Sequence, residues 1–182
     1  MERTAIILAG GNSSRMGEDK GLMLLEGKPM IQHVIDVLQG IVDDIVIVSN
    51  NNEYEQFGCK VFADEVKGKG PLGGIYTGLI HSNTQQSLVL SCDIPYINAN
   101  LLNLLISHSE GYDITIPEKD GFTHQLIGVF SKKCVITFKN ALDDNELKLI
   151  DVFKKLNLNI IDANQFSKRL FTNVNERDDI KA

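Results

Sequence analysis

The sequence contains no tryptophan, only four prolines and only three cysteines among its 182 residues. Cys59, Cys92 and Cys134 are far apart and odd in number, so they match neither a disulfide framework nor a paired-cysteine metal site. No apolar run approaches the roughly 18 residues that span a bilayer, and the run Ala5–Ala9 is shorter than a signal-peptide core. We therefore expect a cytoplasmic protein with reduced thiols and no membrane partner.

Positive charge is also scarce. Eighteen Lys and Arg residues oppose 24 Asp and Glu residues, which gives a net charge of −6 with histidine neutral. A surface of this sign does not attract nucleic acid over its whole extent, so we expect no nucleic-acid partner. A phosphorylated ligand would have to be held by a few local cations and by backbone N–H groups.

Short apolar runs alternate with stretches of helical periodicity along the chain. After Pro29, two apolar stripes follow the spacing of a helix face as far as Ile41 and Val42. Strands that alternate with helices predict an α/β fold, with a mostly parallel central sheet covered on both faces, in one domain over residues 1–182. The predicted strands are 4–8, 44–49, 59–63, 87–91, 113–117, 125–130, 158–161 and 170–174, and the later helices are 73–82, 98–109, 135–142 and 146–156.

The segment that leaves the first predicted strand, residues 8–21, is rich in glycine and carries Arg15 and Lys20. Glycine lets a backbone approach a ligand closely, and consecutive N–H groups can hold an anion. Arg15 offers a planar fork for phosphate oxygens, and Lys20 offers a compact positive charge. The glycine spacing matches neither GxGxxG nor the P-loop. An anion-binding loop and a solvated surface loop both fit these residues.

Three further polar side chains follow predicted strands, where open α/β sheets bind their ligands. Asn50 can offer a donor and an acceptor to a base or ribose, although three consecutive asparagines also favour a turn. Asp64 either contacts a ligand, by accepting from N–H groups or from a ribose, or caps the following helix. Asp93 ends a buried strand just before Pro95, a placement that suits a Mg²⁺ ligand; capping the helix near Asn98 is the alternative.

The N-terminal loop resembles a known family. Residues 8–22 read Leu-Ala-Gly-Gly-x-Ser-Ser-Arg-Met-Gly-x-Asp-Lys-Gly-Leu, and residues 25–30 read Leu-x-Gly-Lys-Pro-Met. Together they are similar to the signature of the molybdenum cofactor guanylyltransferases, which are nucleotidyltransferases with a GT-A-like, Rossmann-type, three-layer fold. Further matches are an Asp followed by Gly-Pro-Leu-x-Gly within 64–74, Cys-Asp-x-Pro-Tyr-Ile at 92–97 and Phe-x-Asn-Val-Asn at 171–175.

The resemblance implies transfer of GMP from GTP to the terminal phosphate of molybdopterin, with release of pyrophosphate. It implies that Arg15, Lys20 and Asp93 are catalytic. Asp93 would hold Mg²⁺, with Mn²⁺ as the alternative metal. The nucleotide and acceptor contacts that it implies are Leu8, Ala9, Gly10, Gly11, Lys20, Asn50, Asp64, Asp93, Asn173 and Asn175.

The same resemblance divides the domain into an N-terminal half that binds GTP and a C-terminal half that binds molybdopterin. His124 falls in a partial match to the acceptor-side strand, where Gln125 replaces a proline; a surface histidine at a hairpin is the alternative. The implied protein partners are transient, namely a molybdenum-insertion protein or a target molybdoenzyme. Alternative activities are a nucleotidyltransferase that uses CTP with the pterin or acts on a sugar-phosphate, and a module that binds without chemistry.

Overall fold

Strand β1, Thr4–Leu8, lies inside the main sheet and is buried along its whole length. The computed structural model describes residues 2–10 and 19–174. Within these ranges the strands are β1 (Thr4–Leu8), β2 (Leu24–Leu25), β3 (Lys28–Pro29), β4 (Asp44–Val48), β5 (Lys60–Phe62), β6 (Gln86–Ser91), β7 (Ile114–Lys119), β8 (Phe122–Thr123), β9 (Ile127–Ser131) and β10 (Leu158–Asp162).

The main sheet has the order β10-β7-β9-β6-β1-β4-β5, with β8 paired to β7 beside this path. β1 pairs in parallel with both β4 and β6, so its last residue, Leu8, lies opposite Val48 and Ser91. β5 pairs in parallel with β4, and β10 pairs in parallel with β7. β9 is antiparallel to its neighbours β6 and β7. The predicted α/β class with a mostly parallel central sheet is confirmed. The carboxyl ends of β4, β1 and β6 meet at one edge.

Helices cover both faces of the sheet, because alternate residues of a strand point to opposite sides. The helices are α1 (Met30–Leu38), α2 (Gly70–His81), α3 (Ala99–Ser107), α4 (Cys134–Asp143) and α5 (Leu149–Phe153). Ala5 and Ile7 of β1 belong to one apolar cluster, which includes residues of α1 and α3; Ile6 and Leu8 belong to a second, which includes residues of α2, α4 and α5. These are the three expected layers. None of the described helices is long and apolar enough to cross a bilayer.

The last predicted strand, over residues 170–174, is wrong. Residues Lys168–Phe171 form a 3-10 helix, which Ser167 caps by accepting a hydrogen bond from the backbone N–H of Arg169 at 3.3 Å. Phe171 is buried in the apolar cluster that includes α1 and α3. The apolar residues of this segment therefore belong to a tight turn and the residues after it, with Phe171 and Val174 buried.

Three predicted helices have clearly different ends, and the one predicted over 146–156 covers only Leu149–Phe153. The helix after Pro29 stops at Leu38, ahead of Gly40, so Ile41 and Val42 lie outside it; glycine has a low helix propensity. α2 begins at Gly70, three residues before the predicted start, because Pro71 fits the first helical turn.

Thr115 in β7 provides a test of the sheet's interior. It is fully buried, and its hydroxyl is the one buried side-chain N or O atom of the described residues that finds no hydrogen-bond partner. Replacing an unpartnered buried hydroxyl with a methyl group should stabilise the fold. We expect Thr115→Val to raise the free energy of unfolding by about 1 kcal/mol, measured by denaturant titration.

Thr77→Val is the matched control. Thr77 is also fully buried, but its hydroxyl donates to the carbonyl of Gly73 at 2.9 Å and accepts from the N–H of Glu65 at 3.0 Å. This substitution should lower the free energy of unfolding by about 1 kcal/mol or more. Destabilisation of the same size by both variants would contradict the assignment of Thr115 as unpartnered.

Candidate functional site

A cavity of about 460 Å³ opens at the carboxyl ends of β1, β4 and β6. Its walls are formed by residues at and just after the ends of these three strands, by the segment that carries Lys20, and by Leu126. The strand register explains this convergence, because Leu8 pairs with Val48 on one side and with Ser91 on the other. Of the predicted site residues, Leu8, Ala9, Gly10, Lys20, Asn50 and Asp93 line this cavity.

A second cavity of about 450 Å³ adjoins the first and shares Leu8, Gly10 and Asn50 with it. Asp64 lines this second cavity, together with Gly70 at the start of α2. The N-terminus of a helix favours negative charge, because its first N–H groups are unpaired. The two cavities thus form one cleft, with Asp64 at one end and Lys20 and Asp93 at the other.

Asn50 and Asp64 hold each other across the ends of β4 and β5. The Asn50 side-chain amide donates to Asp64 Oδ2 at 3.2 Å, and the Asp64 backbone N–H donates to Asn50 Oδ1 at 3.2 Å. The carboxylate also lies close to the β1 turn, since a Cβ placed on Gly10 would be 3.8 Å from Asp64 Oδ2. The N-cap residue of α2 is Lys69, so the alternative that Asp64 caps this helix is wrong.

Burial raises the pKa of the Asp64 carboxyl, and the hydrogen bond from Asn50 acts in the opposite direction. The desolvated carboxylate has one described partner for its side-chain oxygens, the Asn50 amide. A ligand that brings further N–H donors would therefore stabilise the charged form.

Asp93 follows β6 and is partly buried. Its Oδ1 accepts a hydrogen bond from the Ser91 hydroxyl at 2.6 Å, and its Oδ2 accepts none from a described residue. Asn98 caps α3 by accepting from the N–H of Leu101 at 3.0 Å, so the alternative that Asp93 caps this helix is wrong. Burial raises the pKa of the neighbouring Cys92 thiol, which is consistent with a packing role for that cysteine.

The described residues contain no group of three or more His, Cys, Asp or Glu side chains that could hold a metal ion. Two carboxylates, those of Asp93 and Asp19, line this end of the cleft. Mg²⁺ is commonly held by one or two carboxylates together with phosphate oxygens and water, so a carboxylate with one uncommitted oxygen fits that ion when a phosphorylated ligand is present.

Sequence reasoning assigned no role to Asp19, which also lines the first cavity. Its Oδ1 accepts from the Tyr54 hydroxyl and from the N–H of Gly21 at 3.2 Å, and its Oδ2 accepts from the Asn51 amide at 3.2 Å. Both oxygens are therefore committed to protein donors. Burial raises the pKa of Tyr54, so this hydroxyl stays protonated as a donor. In the sequence, this contact could have been suspected only from Tyr54, a single aromatic residue in a polar stretch just after a predicted strand.

The C-terminal predictions are only partly tested by the geometry. Asn173 is exposed and lines neither cavity, although the N–H of the next residue, Val174, donates to the Asp93 carbonyl at 2.9 Å. His124 is half-buried against the ring of Phe171, with ring centres 4.4 Å apart, and burial lowers its pKa. The remaining predicted site residues, Gly11, Arg15 and Asn175, lie outside the described residues.

The sequence is similar to a known family of transferases. Residues 5–157 match the family model of the MobA-like NTP transferase domain. A Flavobacterium johnsoniae protein named probable molybdenum cofactor guanylyltransferase is 42% identical over 178 residues, covering 97% of this chain and 94% of that protein. The molybdenum cofactor guanylyltransferase of Vibrio campbellii is 34% identical over 180 residues, covering 96% and 91% of the two chains.

Solved structures share the fold. A crystal structure of an Aquifex aeolicus protein superposes with a TM-score of 0.83 at 25% identity, covering 97% of this chain and 95% of that one. Molybdopterin-guanine dinucleotide biosynthesis protein A from Archaeoglobus fulgidus gives a TM-score of 0.81 at 23% identity, covering 98% and 95%. At this identity the second likeness shows the fold alone.

The raised pKa of Asp64 predicts a specific pH dependence of stability. Burial raises the pKa of Asp64 above its ordinary value of 3.8. The folded protein therefore binds this proton more tightly than the unfolded chain does. Ionised Asp64 therefore lowers the free energy of unfolding above pH 3.8, and this cost disappears as the pH falls below that value. We expect Asp64→Asn to be more stable than the parent at pH 7, with a difference that shrinks on acidification, in denaturant titrations.

Asp36→Asn is a control of opposite sign. The hydrogen bond from Lys28 lowers the pKa of Asp36, so its ionised form stabilises the fold above pH 3.8. Removing that charge should destabilise the protein slightly at pH 7. If Asp64→Asn were less stable than the parent at pH 7, or if the difference between them did not change with pH, the raised pKa of Asp64 would be contradicted.

Proposed function

Because the chain belongs to the MobA-like NTP transferase family, we propose that it transfers GMP from GTP to the terminal phosphate of molybdopterin and releases pyrophosphate. The observation that carries the proposal is the cleft itself. Lys20 and Asp93 line one cavity with the turn after β1, and Asp64 lines the adjoining one. The names and near-complete coverage of the curated relatives support the same activity.

The guanine is proposed to lie at the Asp64 end of the cleft. The guanine edge presents two N–H donors in its N1 and N2 groups, and a carboxylate accepts both. Asn50 holds Asp64 from the other side and is itself a proposed nucleotide contact. The backbone that follows β1 then lies against the nucleotide, where the proposed contacts are Leu8, Ala9, Gly10 and Gly11.

The triphosphate is proposed to extend toward Lys20 and Asp93. Lys20 and Arg15 are the proposed cations that neutralise phosphate charge, which a protein of net charge −6 must supply locally. Asp93 is the proposed holder of Mg²⁺ or Mn²⁺, because its Oδ2 accepts no hydrogen bond from a described residue. When bound, the ion supplies neutralisation of phosphate charge.

The transfer needs no general base from the protein. An oxygen of the molybdopterin phosphate, already an anion, forms the bond to the α-phosphorus of GTP. The bond between that phosphorus and the oxygen that bridges to the β-phosphate breaks, and pyrophosphate leaves with its electron pair. The work of the side chains is therefore to position the two phosphates and to neutralise their charge.

The acceptor is proposed to bind on the C-terminal half of the same single domain, over residues 1–182. Val174 supports this placement, because its N–H donates to the Asp93 carbonyl and brings residues 171–174 beside the proposed metal ligand. Asn173 and Asn175 are the proposed acceptor contacts there, and His124 lies against Phe171 in the same region. A cytoplasmic location and transient contact with a molybdenum-insertion protein or a molybdoenzyme complete the proposal.

Asp93→Asn tests the catalytic assignment. The amide keeps the oxygen that accepts from Ser91 but removes the charge. We expect the rate of pyrophosphate release with GTP, Mg²⁺ and molybdopterin to fall on the order of 10²-fold or more. The control variant Asp36→Asn, which alters an exposed carboxylate paired with Lys28, should keep the parental rate. A rate for Asp93→Asn close to the parental one would remove Asp93 from the mechanism.

Nucleotide selectivity tests the guanine assignment. A ligand that binds only the folded state raises the melting temperature. We expect GTP with Mg²⁺ to raise it more than ATP, CTP or UTP does, and Asp64→Asn to reduce this preference. Stabilisation by CTP or UTP alone would favour a cytidylyltransferase or a sugar-phosphate enzyme instead. Tight GTP binding without pyrophosphate release would indicate a binding module.

A further inference from the structure

We propose that Tyr54 and Asn51 are positioning residues, which place Lys20 in the cleft by holding its neighbour Asp19. The proposal rests on the proposed function for the ligand of Lys20, the triphosphate. Its geometric basis does not depend on the ligand. Tyr54 and Asn51 both follow β4, while Asp19 and Lys20 belong to the segment that returns toward α1.

Asp19 links these two parts of the chain through side-chain hydrogen bonds. The donors to its carboxylate are the Tyr54 hydroxyl, the Asn51 amide and the N–H of Gly21. Lys20 lies between the two residues of this segment that take part, Asp19 and Gly21. The 3-10 helix Lys20–Leu22 also begins with Asp19 as its N-cap. The Asp19 side chain therefore ties the residue before Lys20 to the loop after β4 and the residue after Lys20 to Asp19 itself.

Tyr54 is suited to this role because it is itself held rigidly. Its side chain has no exposed surface, and its ring packs in the apolar cluster that includes α1 and α3. The described acceptor of its buried hydroxyl is Asp19. A charge-assisted hydrogen bond of this kind is stronger than one between neutral groups, and a buried polar group loses free energy when it has no partner.

Gly21 provides a second, independent indication of the same contact. A Cβ added at this buried position would lie 2.3 Å from the Tyr54 hydroxyl oxygen and 3.1 Å from two ring carbons. No side chain fits there unless the buried tyrosine moves. The tripeptide Asp19-Lys20-Gly21 thus combines an acceptor for Tyr54, a cation that lines the cleft, and a residue small enough to let the tyrosine approach.

Tyr54→Phe tests the role in the ligand-free protein first. Phenylalanine keeps the packing and removes the hydroxyl. We expect amide hydrogen exchange, followed by mass spectrometry, to speed up on the order of tenfold or more over residues 19–23, because local opening costs less once Asp19 is released. The control Tyr112→Phe removes a hydroxyl that makes no hydrogen bond to a described residue. Unchanged exchange over 19–23 in Tyr54→Phe would overturn the proposal, whatever the ligand.

A double-mutant cycle then separates positioning from a general structural effect. We expect Tyr54→Phe to weaken GTP binding about tenfold in the parent, measured by calorimetry with Mg²⁺, and to have little effect in a Lys20→Ala background. If Tyr54→Phe weakened GTP binding equally in both backgrounds, Tyr54 would not act through Lys20, and the proposal would be overturned. A parent chain that binds no GTP would contradict the proposed function instead, and the exchange experiment would still decide whether Tyr54 holds this segment.

Gly21→Ala completes the test. The added methyl group should displace the Tyr54 hydroxyl and lower the melting temperature. In the Tyr54→Phe background the oxygen at 2.3 Å is absent, and the nearest ring carbons are at 3.1 Å. The loss of melting temperature should therefore be smaller there. An equal loss in both backgrounds would contradict the contact on which the proposal depends.

Discussion

The site depends on the parallel pairing of β1 with both β4 and β6. This register places Leu8 opposite Val48 on one side and opposite Ser91 on the other, so three chain segments leave the sheet at the same edge. Gly10, Asn50 and Asp93 each lie two residues past the end of their strand. The pairing therefore brings the residues after β1 beside an aspartate from the middle of the chain. A shift of one residue in either pairing would turn the strand's side chains to the opposite face.

The three carboxylates that line the cleft lie in different environments. Asp19 has both oxygens committed to protein donors and acts as part of the scaffold. Asp64 is desolvated and held by a single amide, which leaves it ready for N–H donors of a base. Asp93 has one oxygen committed to Ser91 and one available for a cation. In the proposed function, an acidic protein binds a triphosphate because Asp19 is held by protein donors, Asp64 accepts from the N–H groups of the base and Asp93 holds a cation.

Much of this arrangement could be predicted from the sequence. The β-branched run Thr4–Leu8, ended by glycine, predicted β1 with its observed bounds. Placing Asn50, Asp64 and Asp93 at one edge required only that their strands be parallel. The Asp19–Tyr54 contact could not be predicted, because it joins residues 35 positions apart and follows from the exact course of two loops. The 3-10 helix Lys168–Phe171 was also beyond reach, since so short a segment does not reveal its backbone form.

A crystal structure of the protein with GTP and Mg²⁺ tests the central claim most directly. The account predicts one nucleotide in the cleft, with the guanine N–H groups on the Asp64 carboxylate and the triphosphate between Lys20 and the metal on Asp93. It would be contradicted by a nucleotide bound at another face of the sheet, or by one whose phosphates lie at the Asp64 end.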